Sequence, residues 1–492
     1  MECFIDTVKS KTFQLHPVDT QAAFLNIPYH FFYSNLNNME DFMPSSVLKT
    51  GFYKALCHFP ILAGQLQSDS SGIVRVVVDP SRLNMPEYIE SVSEIPFEAL
   101  RKSNFHWSAW PQGLTTTSAI TTAAGDGIIK LLNVHVVRMK DNSGVIIFVN
   151  IPHYVVDGTG FFSFVELWGN MCRVGHSGNY SYCFSREIIS QNLPSNRKPL
   201  DADTVQIYTE FNPLADWLAW LSPKSRGWLL SKAQFKNKDV SSSTFRVPRS
   251  QLAELRRQVC QHLSREESAT VEDTYVLAAA ISMIVAQAHK ACKEQGHSDE
   301  GNITRAVSAI TNQIKHFYSV DDKRNQSLSL LADLRKGLGI TGKNYMGNGL
   351  IPHSIQCPLD MLEVPIDAKS LAQPTRAVTN VYTGADAPLV ASFIDMITER
   401  PSCFTRPMLF LAKNPTSLVI TNETGFKLYK ADFGAGYPEW VCSIPSFVAN
   451  FVGFLPGPPP STDIIVNIIM RTPVLKSIVA NKFWQTIATP IY

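Results

Sequence analysis

The strongest constraint on the fold of this chain is an almost wholly apolar stretch at residues 145–151, with the sequence VIIFVNI. It follows the sequence DNSG at 141–144, which is typical of a tight turn. A short apolar run next to turn residues indicates a strand that is buried on both faces. Residues 128–139, before the turn, are rich in Ile, Leu and Val, so the sequence predicts a pair of neighbouring strands.

Helical and extended patterns alternate along the rest of the chain. Apolar residues recur at helical spacing, or in extended runs, in segments that we interpret as helices at 161–172, 250–262, 270–291 and 474–487 and as strands at 244–247 and 463–470. Thr270 is placed to cap the first turn of its helix. Because helices and strands alternate in both halves, we predict an α/β protein.

A polar segment at 190–203 is the best candidate for a linker, because it contains two prolines and has no apolar period. A second polar stretch follows at 236–244. The chain has 492 residues, which is enough for two large domains. We predict an N-terminal domain at 1–200, a crossover at 201–243 and a C-terminal domain at 244–492.

The charge balance excludes two classes of partner. The chain has 44 Lys and Arg against 42 Asp and Glu, a formal net charge of +2. Nucleic acids and anionic membrane surfaces require a clustered excess of basic residues, so we expect neither as a partner. The nine cysteines are scattered without a CxxC pair, which predicts neither a disulfide framework nor a zinc ribbon.

Localisation signals are also lacking in the sequence. The first residues, MECFID, contain no basic stretch followed by an apolar run, so we expect no secretion signal. The longest apolar stretch, 275–286, is much shorter than the roughly 20 residues that span a bilayer. We therefore expect a cytoplasmic protein without a transmembrane segment.

The histidine directly after the apolar stretch is the first candidate for chemistry. His153 begins the sequence HYVVDG, and α/β folds open their ligand crevices at the ends of buried strands. The pKa of an imidazole lies near neutrality, so His153 is suited to act as a general base. Asp157 either orients this imidazole or turns away and anchors the loop. Gly158 permits a tight turn that a side chain would block.

A second cluster, DFGAGYP at 432–438, places Asp432 beside two glycines and a proline. By itself it is an ordinary turn. A kinase metal-binding DFG is excluded because no glycine-rich phosphate loop, HRD or VAIK sequence precedes it. The chain also lacks GxSxG, HExxH, GxGxxG and the GxxxxGK phosphate loop, which argues against common hydrolases, zinc proteases and nucleotide-binding enzymes.

Together, the two clusters resemble the BAHD acyltransferases, whose pattern is HxxxDG followed much later by DFGWG. Three further segments are similar to elements of that family: FPILAGQL at 59–66 to FYPLAGRL, DLR at 333–335 to DxR, and NYMGN at 344–348 to NYxGN. The resemblance covers essentially the whole chain in the family's order. It is closer to fungal members, such as the trichothecene O-acetyltransferases, than to plant members.

The resemblance implies a fold and a mechanism. The fold is a pair of α/β domains, each like chloramphenicol acetyltransferase with a mixed sheet flanked by helices, and the active-site tunnel lies at their interface. His153 takes a proton from an acceptor that enters one side, while acyl-coenzyme A enters the other as co-substrate. No acyl-enzyme is needed, because the tunnel brings both substrates together. Asp157 points away from the substrates and pairs with Arg335, which gives it a structural role.

The same resemblance assigns further site residues. Thr421, eleven residues before Asp432, stands where relatives have a Thr or Ser that donates a hydrogen bond to the oxyanion. Asn348 is the alternative donor, and with Gly158 it is assigned to the coenzyme A side. Three residues of the second cluster are expected to be structural: Asp432, Gly434 and Gly436. We expect no metal and no bound cofactor.

Three positions depart from the family pattern. Glu423 replaces a Trp of many relatives, Ala435 replaces the Trp of DFGWG, and Gly337 replaces the second Arg of DxRxR. The position of Ala435 is structural, so its change has little consequence. Glu423 either recruits a polar or cationic group of the acceptor or is a solvated surface residue.

The function expected from these motifs is that of an acyl-CoA-dependent O-acyltransferase, most simply an acetyltransferase. Its acceptor is a hydroxyl of a mainly apolar secondary metabolite such as a terpenoid, alkaloid or polyketide, and we expect a monomer. An alternative is a cyclase, dehydratase or isomerase in which His153 moves a proton without an acyl donor, and the departure at Glu423 supports it. A catalytically silent binding protein is the third hypothesis.

Overall fold

The fold was analysed in a computed structural model. It describes residues 1–20, 25–68, 74–116, 121, 128–173, 178–209, 240–295, 325–399, 417–443 and 449–492. Most of the predicted crossover at 201–243 therefore lies outside the described residues.

Fifteen strands lie within these ranges. They are β1 (Lys11–Gln14), β2 (Asn26–Ser34), β3 (Gln65–Ser68), β4 (Val74–Val78), β5 (Glu87–Val92), β6 (Asn133–Arg138), β7 (Gly144–Pro152), β8 (Val240–Val247), β9 (Asn325–Asp333), β10 (Leu350–Pro358), β11 (Leu418–Asn422), β12 (Trp440–Ser443), β13 (Phe451–Pro456), β14 (Ile464–Arg471) and β15 (Thr489–Pro490).

The α-helices within the same ranges flank these strands. They are α1 (Glu2–Ile5), α2 (Pro17–Thr20), α3 (Ser45–His58), α4 (Phe97–Lys102), α5 (Gly158–Cys172), α6 (Glu187–Ser190), α7 (Ala202–Thr209), α8 (Arg249–Cys260), α9 (Arg265–Thr270), α10 (Asp273–Glu294), α11 (Leu334–Gly337), α12 (Leu359–Leu362), α13 (Ala368–Gly384), α14 (Ala387–Glu399), α15 (Thr472–Ala480) and α16 (Lys482–Ile487).

Strand β7 is the centre of a five-stranded sheet with the order β12-β2-β7-β6-β5. It pairs antiparallel with β2 on one side and β6 on the other. All nine of its residues are buried, which confirms the prediction of a strand covered on both faces. The chain leaves β7 at Pro152 and enters α5 at Gly158, so the HYVVDG motif forms the connection between them.

The second large sheet has seven strands in the order β10-β9-β11-β13-β14-β8-β15. Strand β11 is parallel to both of its neighbours, β9 and β13, and the remaining pairs are antiparallel. The carboxyl ends of β9 and β11 therefore lie at the same edge of this sheet. That edge carries the DLR motif after β9 and Thr421 near the end of β11.

One strand crosses between the halves of the chain. Strand β12 comes from the second half but pairs antiparallel with β2 of the first sheet, with Trp440 opposite Phe32. The domain boundaries at 200 and 244 remain a prediction. The pairing shows that a segment of the second half completes the first sheet.

Helix α10 forms the core behind the second sheet. It is the one helix in the described ranges that is long and apolar enough to cross a membrane, but 83% of its most apolar window is buried inside the protein. It packs against α8, α13 and α15. We therefore interpret α10 as a core helix.

Two predicted helix boundaries are wrong. Thr270 ends the short helix α9, because Ser264 and Glu267 form a capping box that starts a separate helix, and α10 begins only at Asp273. The predicted helix at 474–487 is two helices. Asn481 separates them, and its side chain accepts a hydrogen bond from the Trp484 amide to cap the second.

The DFGAG loop packs against α5 in the first half of the chain. Asp432 Oδ1 accepts hydrogen bonds from the backbone amides of Gly434 and Gly436, both at 2.9 Å. Both glycines have positive φ, 95° and 90°. The ring of Phe433 packs against Trp168 of α5, with 4.9 Å between ring centroids. The loop thus follows a backbone path that requires glycine, consistent with the structural role implied by the resemblance.

We predict that Gly434→Ala and Gly436→Ala each lower the free energy of unfolding by about 1–2 kcal/mol, because an L side chain is strained at positive φ. Gly425→Ala is the matched control, since a Cβ at residue 425 meets nothing within 4 Å and its φ is ordinary. We expect it to change stability by less than about 0.5 kcal/mol. Urea denaturation measures all three, and equal losses would contradict the prediction.

Candidate active site

His153 lies in the turn directly after β7. Its backbone amide donates to the carbonyl oxygen of Leu25 at 2.8 Å, which ties the turn to the start of β2. Its Nδ1 atom is 2.6 Å from Oδ1 of Asn348. Because an amide oxygen only accepts hydrogen bonds, Nδ1 carries the hydrogen and Nε2 remains as the ring nitrogen that can accept a proton.

The surroundings of His153 favour its neutral form. Its side chain is enclosed by protein but keeps some accessible surface. Burial lowers the pKa of His153 below its usual value, while the charge of Asp157 and the hydrogen bond with Asn348 raise this pKa in part. A lowered pKa leaves the imidazole unprotonated at neutral pH, as a general base requires.

Asp157 anchors the loop. Its Oδ1 atom accepts hydrogen bonds from the amides of Thr159 and Gly160, at 3.0 and 3.3 Å, and so caps α5. Its Oδ2 atom is 2.8 Å from Nη1 of Arg335 and accepts from the Gly349 amide at 2.9 Å. Of the two roles open from the sequence, the structure therefore favours the anchor.

Arg335 holds the NYMGN segment as well as Asp157. Its Nε and Nη2 atoms donate to the carbonyl oxygens of Tyr345 and Gly347, at 3.0 and 2.6 Å. Burial lowers the pKa of Arg335, but the carboxylates of Asp157 and Asp333 outweigh burial, so this pKa is raised overall. The expected Asp157–Arg335 pair is present, and it joins the start of α5 to the end of β9.

The side-chain amide of Asn348, the alternative oxyanion donor, contacts both His153 and Asp19. Its Nδ2 atom donates to Oδ1 of Asp19 at 3.1 Å and to the carbonyl oxygen of His153 at 2.5 Å. Both amide hydrogens are used by these bonds, so no side-chain donor remains for an oxyanion. The assignment of Asn348 to the coenzyme A side stays a prediction.

Gly158 is required for a different reason from the one that the sequence indicates. It begins α5, and its φ lies outside the left-handed region, so no special turn is needed. A Cβ at this position would overlap the ring of Phe426. The glycine thus allows the loop after β11 to pack against the start of α5, and its contact with coenzyme A stays a prediction.

Thr421 lies near the carboxyl end of β11, at the sheet edge that also carries the end of β9 and the start of β10. Asn348 lies two residues before β10, so Thr421 and the partner of His153 share this edge. The hydroxyl group of Thr421 donates to Oε1 of Glu423 at 3.4 Å, which is a long hydrogen bond.

Glu423 is held inside the protein, which argues against a solvated surface role. Its Oε2 atom accepts a hydrogen bond from the hydroxyl group of Tyr29 at 2.5 Å. Burial raises the pKa of Glu423, while the hydrogen bonds from Tyr29 and Thr421 lower it in part. Like His153, its side chain is enclosed but partly accessible, so it can contact a ligand that enters the protein.

Four residues of the site region were not identified from the sequence: Asp19, Tyr29, Arg186 and Phe426. Asp19 and Arg186 form a buried ion pair, with 3.1 Å between Oδ2 and Nε. None of the four stands in a motif or in a spacing relative to His153 that indicates a site. Tyr29 lies in β2, which pairs with β7, and its ring is 5.0 Å from that of Phe162 in α5, so tertiary contacts bring it near the HYVVDG turn.

The described part of the chain has no group of three His, Cys, Asp or Glu side chains that is placed to hold a metal ion.

We predict that Arg335→Met lowers the free energy of unfolding by about 3–5 kcal/mol, because it leaves the Asp157 carboxylate buried without its partner. Arg257→Met is the matched control, since Arg257 pairs with Glu254 on the surface of α8 and both side chains are exposed. Arg257→Met should change the free energy of unfolding far less than Arg335→Met, because solvent screens an exposed ion pair. Chemical denaturation measures the free energy of unfolding of both variants. A small decrease for Arg335→Met would show that the buried ion pair contributes little to stability.

Solved structures share the fold of this chain. TRI101 of F. sporotrichioides, complexed with coenzyme A and T-2, has a TM-score of 0.64 and 15% identity over 98% of this chain and 100% of that chain. Vinorine synthase has a TM-score of 0.56 and 16% identity, over 96% of this chain and 95% of its own. The epimerization domain from the third module of tyrocidine synthetase B has a TM-score of 0.51 and 11% identity, over 96% and 94%.

At these identities the likeness establishes the fold, and it confirms the predicted α/β architecture of the acyltransferases. A search of the curated proteins finds no significant match to the sequence. A family model described as the Transferase family matches residues 6–482, nearly the whole chain. The matched range includes all five segments that carry the resemblance, among them the two motif clusters. The chain therefore belongs to the Transferase family, that of the BAHD acyltransferases.

Proposed function

We propose that the protein transfers an acetyl group from acetyl-coenzyme A to a hydroxyl group of a mainly apolar small molecule. Membership of the Transferase family supports acyl transfer. TRI101 of F. graminearum, which shares the fold, has been solved with coenzyme A and deoxynivalenol and with coenzyme A and T-2 mycotoxin. These complexes support a coenzyme A donor and a small-molecule acceptor. A net charge of only +2 agrees with an acceptor that is mainly apolar.

The observation that carries the proposal is the 2.6 Å contact between Nδ1 of His153 and Oδ1 of Asn348. It assigns the ring hydrogen to Nδ1 and leaves the Nε2 lone pair for a substrate proton. The lowered pKa of His153 keeps this nitrogen unprotonated at neutral pH. Asp157 contributes by holding the loop, since its oxygens are occupied by Arg335 and backbone amides.

The proposed reaction is a direct transfer within a ternary complex. Nε2 of His153 takes the hydroxyl proton as the acceptor oxygen attacks the thioester carbonyl carbon, and the carbonyl becomes a tetrahedral oxyanion. The carbon–sulfur bond then breaks, the carbonyl re-forms, and the proton passes from Nε2 to the leaving sulfur. The products are the acetyl ester and coenzyme A with its thiol. Orientation of both substrates in one site lowers the barrier.

Thr421 is the proposed donor to the oxyanion. Its hydroxyl group rotates, and its 3.4 Å bond to Glu423 is long enough to be exchanged for a bond to a developing negative charge. Its position at the sheet edge shared with the NYMGN segment supports this role. Stabilising an oxyanion with a fixed donor is commonly among the largest contributions to catalysis.

A second candidate function uses the same histidine without an acyl donor. The fold also occurs in an epimerization domain, so the fold alone does not determine acyl transfer. In this alternative His153 moves a proton in a cyclase, dehydratase or isomerase reaction. Calorimetry with coenzyme A separates the two, since only the acyltransferase requires a coenzyme A site.

We predict that the protein releases free thiol from acetyl-coenzyme A when it is given hydroxylated terpenoids, alkaloids or polyketides, with the acetylated product detected by mass spectrometry. His153→Ala should lower kcat about 10²–10⁴-fold, because the general base is removed. His262→Ala is the control, since His262 is exposed on the surface. Unchanged turnover in His153→Ala would contradict the mechanism, and absence of coenzyme A binding would favour the second candidate.

We predict that Thr421→Val lowers kcat about 10²–10³-fold, as expected when one oxyanion donor is lost. The KM for acetyl-coenzyme A should change little, because the donor acts mainly in the transition state. Thr421→Ser retains the hydroxyl group and should keep most of the activity. Full activity in Thr421→Val would contradict the role of the hydroxyl group as an oxyanion donor.

A further inference from the structure

A buried ion pair near His153, formed by Asp19 and Arg186, has no role in the proposed reaction. Asp19 of α2 is fully buried, and its Oδ2 atom is 3.1 Å from Nε of Arg186. Oδ1 accepts a second hydrogen bond from the Arg186 guanidinium at 3.3 Å, and Oδ2 accepts one from the His16 amide at 2.7 Å. The carboxylate is therefore held in one position by groups on both of its oxygens.

The same carboxylate contacts Asn348 twice. Oδ1 of Asp19 accepts hydrogen bonds from the backbone amide and from Nδ2 of Asn348, both at 3.1 Å. The other Nδ2 hydrogen is donated to the carbonyl oxygen of His153 at 2.5 Å. The Asn348 nitrogen thus faces two acceptors. If the amide turned over, its oxygen would face both of these acceptors, and its NH₂ group would face Nδ1 of His153.

We propose that Asp19 is a positioning residue for His153. By holding the Asn348 amide in one orientation, it keeps the ring hydrogen on Nδ1 and leaves Nε2 as the atom that accepts the proton. This inference rests on the proposed function, in which Nε2 is the general base. The tautomer of a catalytic histidine is fixed by the hydrogen bond of the ring nitrogen that does not react. A group that fixes this bond changes the reaction rate without touching the substrate.

Asp19 also acts on His153 through its charge. In the described part of the chain, the titratable and charged groups that surround His153 and its partners are His16, Asp19, Asp157, Arg186, Asp333, Arg335 and Tyr345. Both Asp157 and Asp19 raise the pKa of His153 against the effect of burial. Removing the negative charge of Asp19 should therefore lower this pKa, and the acid limb of the kcat/KM profile should move to lower pH.

The test is Asp19→Asn, which keeps the shape of the side chain but can present either an oxygen or an NH₂ group to Asn348. We expect kcat to fall about 10- to 100-fold, as for other partners that orient a functional histidine, with little change in the KM for acetyl-coenzyme A. The acid limb should move to lower pH. In ¹⁵N NMR of histidine-labelled protein, wild type should have His153 in the Nδ1–H form, and Asp19→Asn should have a mixture of tautomers.

Two further variants separate positioning from stability. Glu439→Gln is the matched control, because Glu439 accepts two hydrogen bonds from Arg101, both at 2.8 Å, next to β12. It should leave the acid limb and the tautomer of His153 unchanged. Asp19→Asn leaves the Arg186 cation buried without its partner, so the double variant D19N/R186Q is measured in parallel. We expect it to have the same mixed tautomer and a smaller shift of the acid limb, because removal of the Arg186 cation offsets part of the lost charge of Asp19.

The outcomes distinguish this inference from the proposed function. A folded Asp19→Asn protein with a single Nδ1–H tautomer and an unmoved acid limb would overturn the role of Asp19. An Nε2–H form of His153 in the wild-type protein would overturn it without any variant. If the wild-type protein transfers no acyl group, the proposed function fails, while the tautomer measurement still decides whether Asp19 positions His153.

Discussion

The active-site region depends on the buried ion pair between Asp157 and Arg335. The pair joins the start of α5, in the first half of the chain, to the end of β9, in the second. Because both groups are buried, removing either one would leave an uncompensated charge inside the protein, so the pair holds the two elements in one arrangement. His153 lies four residues before Asp157, and its position relative to the second sheet follows from this contact.

The ion pair is connected to His153 through the backbone segment that Arg335 binds. Arg335 binds the carbonyl oxygens of Tyr345 and Gly347, and this segment carries Asn348 to the imidazole of His153. A second buried ion pair holds the other side of the Asn348 amide. The imidazole is therefore enclosed and held in one orientation. Burial lowers the pKa of His153, and nearby carboxylates that do not bind the ring raise this pKa in part. In the proposed mechanism, this arrangement keeps the His153 base neutral and correctly directed without exposing it to bulk water.

Much of the fold and part of the site follow from local patterns in the sequence. The apolar run of β7 predicts a doubly buried strand, and the HYVVDG motif predicts a histidine at its end, because both depend on neighbouring residues. The helix start predicted at Thr270 and the single helix predicted at 474–487 are wrong, since capping bonds between residues three positions apart decide where these helices begin. The reason for Gly158 was also wrong, because a ring from a distant segment, that of Phe426, occupies the space.

The sequence by itself determined the alternation of helices and strands, the buried strand before the histidine, and the family to which the chain belongs. Only the tertiary structure decided what each polar group of the site binds. Asp19 is 329 residues from Asn348 in the chain and Tyr29 is 394 residues from Glu423, yet each pair is in hydrogen-bond contact. Such contacts are set by strand pairing and by the packing of one half on the other, and local periodicity carries no information about either.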